Sequence, residues 1–321
     1  MNRTCTTPWF YESHRYYGAR WLSRTLAALL YLGTVGLTRM EEKLYDSVVS
    51  LFEPLGRRAC PILKKDEWGR LTLVGTGVPV IDGRVGMLLT ATHVLKELNQ
   101  DQIIIAGTKT MMRFPLIASG FSRYNGGNTI DVDVCALALP AEAVNEMRGF
   151  YAFTNATELG NLEDENVFTL YGFVGYPHSK NRWRPAAELR VTPHTYATTA
   201  FGRMDGVVTQ GKTDWVHFAM KFPRKAIRRG QQRLIPPEPY GISGCGVWKV
   251  SLDRHSGNAS KPALVGIGIE YIARSNLLIA TRIGAASVAV STLRKDIEAG
   301  KAGGTGLTLQ FDANIPAATD S

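Results

Sequence analysis

Residues 71–95 read LTLVGTGVPVIDGRVGMLLTATHVL. Short runs of Leu, Val and Ile are broken by Gly75, Gly77 and the turn pair Asp82-Gly83. Apolar runs of that length on either side of Asp-Gly make the two strands of a hairpin. The second strand ends on Thr90-Ala91-Thr92-His93, so it delivers an imidazole at its C-terminal end. The same texture continues, and strands are expected at 102–107, 132–139, 167–176, 187–193, 213–220, 245–251, 263–272 and 277–283. Many short strands with Gly-rich turns predict an all-β barrel or sandwich.

The 321-residue chain is 45% hydrophobic and 20% charged, which excludes wholesale disorder and leaves enough apolar surface for a core. Residues 40–54, MEEKLYDSVVSLFEP, place Leu44, Val48, Leu51 and Phe52 at helical spacing until Pro54, and predict an amphipathic helix. Residues 284–300 predict a closing helix, with Ser287 as its N-cap. The expected organisation is an N-terminal extension (1–39) that the fold can do without, a helical lead-in (40–68), a first β-barrel (69–150), a second β-barrel with its closing helix (151–300) and a flexible tail (301–321). The apolar run at 25–37 is shorter than the roughly 20 residues that span a bilayer, and no transmembrane span is expected.

Nearly half of the net charge of +9 sits in residues 1–39, where five arginines face only Glu12. The remaining excess is too modest to point to nucleic acid. One tryptophan between basic residues, Trp183 between Arg182 and Arg184, is short of the interleaved aromatics that single strands stack upon. Arg224, Lys225, Arg228, Arg229 and Arg233 form a basic stretch that reads as a solvated loop face. Cys5, Cys60, Cys135 and Cys245 are scattered, with no metal-type spacing and no pairing pattern of a secreted scaffold. No metal and no cofactor are expected; a reducing, cytoplasmic compartment is, with the apolar run at 25–37 leaving export open as a signal-type segment.

Three segments carry the chemistry, in the order TATHV (90–94), DVDVCALAL (131–139) and GISGCG (241–246). They supply His93, a carboxylate and Ser243. A serine hydroxyl is a weak nucleophile, so an imidazole must take its proton and a carboxylate must hold that imidazole in the correct tautomer. Asp133 is preferred to Asp131 for that carboxylate because the apolar run starts directly after it. The glycines around Ser243 allow backbone N–H groups, those of Gly241 and Ser243, to converge on an oxyanion. The bland readings are a structural core histidine for His93 and an ordinary turn residue for Ser243. His14, His178, His194, His217 and His255 read as structural or surface groups, with His217 on a strand.

These segments resemble the motifs of trypsin-like serine peptidases of the chymotrypsin fold: T-A-A-H-[CV], D-I-A-L-[IL] and G-x-S-G-[GS]-P. Residues 75–94 also resemble the G-[ST]-G hairpin that precedes the histidine in bacterial high-temperature-requirement peptidases. The resemblance covers about residues 70–300. It implies two six-stranded-type antiparallel β-barrels, a protein or peptide substrate, and endopeptidase chemistry by Ser243, His93 and Asp133, with room for a regulatory partner protein. Cys245 and Gly246 depart from the serine motif. The residues after Gly300 are too few for the peptide-binding domain that high-temperature-requirement peptidases carry. By the same resemblance the selectivity pocket has its floor at Pro237 and its wall at Val265–Ile269, with Gly266 and Gly268 giving access, so apolar residues before the cut are expected. Two rivals remain: a catalytically silent fold of this type acting as a protein-binding module, and a cysteine nucleophile, since Ser243-Gly244-Cys245-Gly246 partly imitates a viral G-x-C-G turn.

Overall fold

The computed structural model describes residues 51–68, 70–98, 104–105, 132–160, 168–180, 191–198, 201–202, 212–214, 216–222, 227–229, 232–234, 237–252 and 259–300. The extension 1–39, most of the helix expected at 40–54, Asp131, Trp183, Arg224, Lys225, His14, His255 and the tail 301–321 lie outside the described residues.

Strand β1 (Cys60–Lys65) pairs antiparallel with β2 (Leu71–Asp82). Strand β2 turns through Gly83, at φ +60°, into β3 (Val85–Thr90), the hairpin expected from Asp82-Gly83. Strand β4 (Ile104–Ile105) adds to β1, β5 (Cys135–Ala138) adds to β3, and β6 (Thr154–Asn155) runs parallel to β2. Among the described residues the first sheet therefore has six strands, with the path β4-β1-β2-β3-β5 and β6 beside β2.

The second half supplies β7 (Phe168–Gly175), β8 (His194–Thr198), β9 (Phe201–Gly202), β10 (His217–Lys221), β11 (Ile227–Arg229), β12 (Gln232–Leu234), β13 (Gly246–Leu252), β14 (Ala263–Ile272) and β15 (Leu277–Arg282). Seven of them form one sheet, ordered β8-β7-β13-β14-β15-β10-β9, and β11 pairs with β12 as a separate hairpin that carries Arg228, Arg229 and Arg233. Three α-helices, α1 (Thr92–Lys96), α2 (Ala141–Met147) and α3 (Ile283–Glu298), and three short 3-10 helices at Glu53–Arg58, Ala156–Glu158 and His178–Lys180 complete the described elements. No helix among the described residues is long and apolar enough to cross a membrane.

Period-two alternation decides how the strands pack. Leu88 on β3 and Cys135 and Leu137 on β5 enter one core, whereas Met87, Leu89, Ala136 and Ala138 enter another. On β13, Val247 faces a third core with Phe173 and Phe218, while Trp248 and Val250 face the core that α3 covers. Helix α3 buries Ile283, Ala286, Val290 and Leu293, a helical stripe, and Arg294 pairs with Asp82 of β2 at 3.0 Å. Fully burying side chains the size of Ile283, Val290 and Leu293 contributes roughly 1.5–3 kcal/mol each.

Three expectations change. Strand β1 lies in the segment read as a helical lead-in; its apolar run is too short to show a period, and backbone pairing with β2 decides it. The described part of 187–193 is not a strand, and β8 starts at His194. Helix α3 has Arg282 at its N-cap, and the Ser287 hydroxyl instead donates to the carbonyls of Ile283 and Gly284 within the helix. The architecture is all-β, two mostly antiparallel sheets with a C-terminal helix.

Candidate active site

His93 sits in the first turn of α1, directly after β3, and its position follows from the strand before it. Asp133 approaches from the segment preceding β5. One carboxylate oxygen accepts the backbone N–H of His93 at 3.0 Å and the other lies 2.7 Å from His93 Nδ1. Two contacts to one residue fix both the ring orientation and the tautomer, with hydrogen on Nδ1 and a free lone pair on Nε2. Asp133 adopts φ +42°, an uncommon conformation for a residue with a side chain. Neighbouring bonds hold it there: Thr92 N–H donates to the Asp133 carbonyl at 3.3 Å, and the buried Thr281 hydroxyl of β15 donates to the carbonyl of Val132.

Ser243 lies on the turn before β13, and this turn is fixed carbonyl by carbonyl. Tyr240 C=O accepts from His178 N–H, Gly241 C=O from the Thr76 hydroxyl at 3.2 Å, Ile242 C=O from Cys245 N–H at 2.8 Å, and Ser243 C=O from Thr76 N–H at 2.8 Å. Because C=O and N–H of a trans peptide point in opposite directions, anchoring Tyr240 and Ile242 C=O turns the N–H groups of Gly241 and Ser243 the other way. Neither N–H has an acceptor among the described residues. Gly241 is at φ +88° and Gly244 at φ +86°. At Gly244 even a Cβ would fall 2.0 Å from the Thr76 carbonyl oxygen, so only glycine fits after the serine.

His93, Asp133, Gly241 and Ser243 line one cavity of about 380 Å³. The Ser243 hydroxyl makes no hydrogen bond to His93. Asp133 raises the His93 pKa above its ordinary value, chiefly through the bond to Nδ1; partial burial opposes this, the Asp133 and Glu97 charges reinforce it and Lys212 opposes it. The Cys245 thiol is buried and its pKa is pushed up to about 12 by loss of solvent. A thiol in that state is neither exposed nor ionised, and it makes a poor nucleophile.

The remaining expected site residues are placed differently. Gly266 packs under Phe218, where a Cβ would lie 2.6 Å from the ring, and Gly268 packs on Cys245 Sγ at 2.7 Å by the same measure. Neither lines the cavity. Its wall is made by Ile269, Glu270 and Tyr271, because β14 carries a register shift between Gly268 and Glu270 that carries the lining further along the strand. Pro237 does not line it either; its carbonyl accepts the Tyr196 hydroxyl at 3.2 Å, and Pro239 and Tyr240 take the place expected of it. Tyr196 stacks on Phe173 and touches Phe222, which touches Tyr271, so rings back the pocket. The anchors Thr76, His178, Thr90 and Thr281 were not foreseen, although Thr76 stands between Gly75 and Gly77 in the hairpin motif. His217 is buried on β10, with Nδ1 accepting from Thr213 N–H at 3.1 Å.

Comparison with family models and with curated proteins gave no match. Solved structures similar to this chain include "HtrA-type protease AlgW with tripeptide" (17% identity, 79% of this chain and 64% of that one, TM-score 0.43). They also include the serine endoprotease from Yersinia pestis (17%, 78% and 67%, TM-score 0.42) and an inactivated protease paralogue of the scabies mite (11%, 75% and 95%, TM-score 0.42). The chain thus spans 64% of the length of the AlgW chain. In this all-β architecture the histidine and aspartate are borne by the first sheet and the serine turn enters the second.

Proposed function

We propose that this chain is a serine endopeptidase. Ser243 Oγ attacks the peptide carbonyl as His93 Nε2 takes its proton. Asp133 holds the imidazole and stabilises the imidazolium that forms. The N–H groups of Gly241 and Ser243 hold the oxyanion. His93 then returns the proton to the leaving amine, and water repeats the sequence on the acyl-enzyme. The observation that carries this reading is the convergence of a doubly held imidazole, a serine and two N–H groups without acceptors on one cavity. In apo enzymes the bond between nucleophile and base is often long and tightens only with substrate, which reconciles the reading with the missing Ser243–His93 bond.

That missing bond favours the second reading, a catalytically silent fold that binds protein. Incubation with an unstructured protein, read as new N-termini, separates the two. The peptidase produces cleavage that Ser243→Ala and His93→Ala abolish, and the binding module produces none. For the residue before the cut we propose a small or medium apolar side chain, since the pocket is lined by Ile269 and Leu278 and backed by rings. A regulatory partner protein remains part of this proposal.

A further inference from the structure

The motif Gly75-Thr76-Gly77 has a use that the triad leaves unassigned. On β2, Gly75 and Gly77 share one face, and a Cβ would fall 2.7 Å from Val94 at the first and 2.6 Å from Leu88 at the second. The two glycines therefore let β2 lie close against α1 and β3. Thr76, on the opposite face and fully buried, points at the nucleophile turn.

Every polar atom of Thr76 is engaged. Its N–H donates to Ser243 C=O at 2.8 Å, and its hydroxyl donates to Gly241 C=O at 3.2 Å. The hydroxyl also accepts Tyr176 N–H at 3.0 Å. Its carbonyl accepts the hydroxyl of Thr90 at 2.7 Å. Thr90 is itself buried, three residues before His93 on the strand that delivers the base. The two residues that offer the oxyanion donors thus have their carbonyls tied to one first-sheet residue, which is tied in turn to the base-bearing strand.

We propose that Thr76 is a positioning residue that sets the oxyanion donors in register with His93, and that the Thr76–Thr90 bond carries that register between β2 and β3. The inference rests on the peptidase reading above. The physical requirement is severe, because misplacing a reacting group by about 1 Å can cost on the order of 10²-fold in rate. Thr76 N–H alone fixes Ser243 C=O. The hydroxyl holds Gly241 C=O at 3.2 Å while Ile242 N–H donates to Pro239 C=O at 3.2 Å, so without the hydroxyl the peptide that joins the two donor peptides keeps only one of its two bonds.

Thr76→Val keeps the shape and removes the hydroxyl, leaving Gly241 C=O and Tyr176 N–H without it. Thr76→Ser keeps the hydroxyl. The experiment measures the second-order rate of fluorophosphonate labelling at Ser243 across pH, per folded molecule, with the folded fraction taken from thermal melts. Expected are a loss of about tenfold or more in Thr76→Val, a rate within about threefold of wild type in Thr76→Ser, and an unmoved pH midpoint in both, because Asp133 still holds His93. Thr90→Val, which removes only the outer bond, should lose less in the same parameter, and it keeps the test open if Thr76→Val fails to fold. Thr76→Val or Thr90→Val labelling at the wild-type rate, or Thr76→Ser failing to rescue, would overturn the assignment. If the wild type itself does not label, the peptidase reading fails and the proposal about Thr76 fails with it.

Discussion

Replacing Asp133 by asparagine keeps the size of the side chain and removes its charge. The oxygen facing His93 N–H at 3.0 Å must remain an acceptor, so the new amide nitrogen is directed at Nδ1, 2.7 Å away. Nδ1 must then accept, which moves the ring proton to Nε2 and leaves no lone pair for the Ser243 hydroxyl. The same exchange in a serine peptidase triad costs about 10⁴-fold in kcat, or about 5 kcal/mol of transition-state stabilisation. The pH dependence moves as well. Neutral His93 is the competent base, so activity rises with pH through the His93 pKa. That pKa is raised mainly by Asp133, and the asparagine variant should therefore place what activity remains on a limb shifted to lower pH. Linkage has a definite sign too: a raised folded-state pKa stabilises the fold below the unfolded value, and this contribution is lost as pH rises through the folded value. The assay is the rate of fluorophosphonate labelling at Ser243 from acid to alkaline pH, with Asp131→Ala alongside. Asp133→Asn within tenfold of wild type, with Asp131→Ala inactive, would refute the argument.

Cys245→Ala should stay active, since the buried thiol with its pKa near 12 plays no chemical part; the lost packing costs about 1 kcal/mol, visible as a small fall in the melting temperature. A cleavage profile over a peptide library should favour small and medium apolar residues before the cut. Tyr271→Ala, which removes a ring of the pocket wall, should extend acceptance to larger apolar residues; a profile dominated by Lys or Arg would instead assign the pocket to Glu270.

The hairpin, the histidine and the serine turn were legible because each rests on local rules: Asp-Gly for the turn, period two for the strands, glycine where φ is positive. The preference for Asp133 over Asp131 came from the same kind of evidence, the start of the apolar run. What was illegible depends on pairing between distant strands. Strand β1 is six residues containing Pro61 and two lysines, and only its partner β2 makes it a strand. The lining by Glu270 and Tyr271 was illegible because counting residues cannot see a register shift after Gly268. The anchoring by Thr76 spans 165 residues to Gly241, and no spacing rule connects them.

Everything proposed for this site requires Ser243 to be an activated nucleophile. Exposing the full chain to a fluorophosphonate probe and mapping the adduct by peptide mass spectrometry tests it without knowledge of the substrate. Expected is a single labelled peptide containing Ser243, with no labelling in Ser243→Ala and labelling lost in His93→Ala. A folded wild-type protein that takes up no probe at Ser243, or Ser243→Ala labelled as fast as wild type, would contradict it.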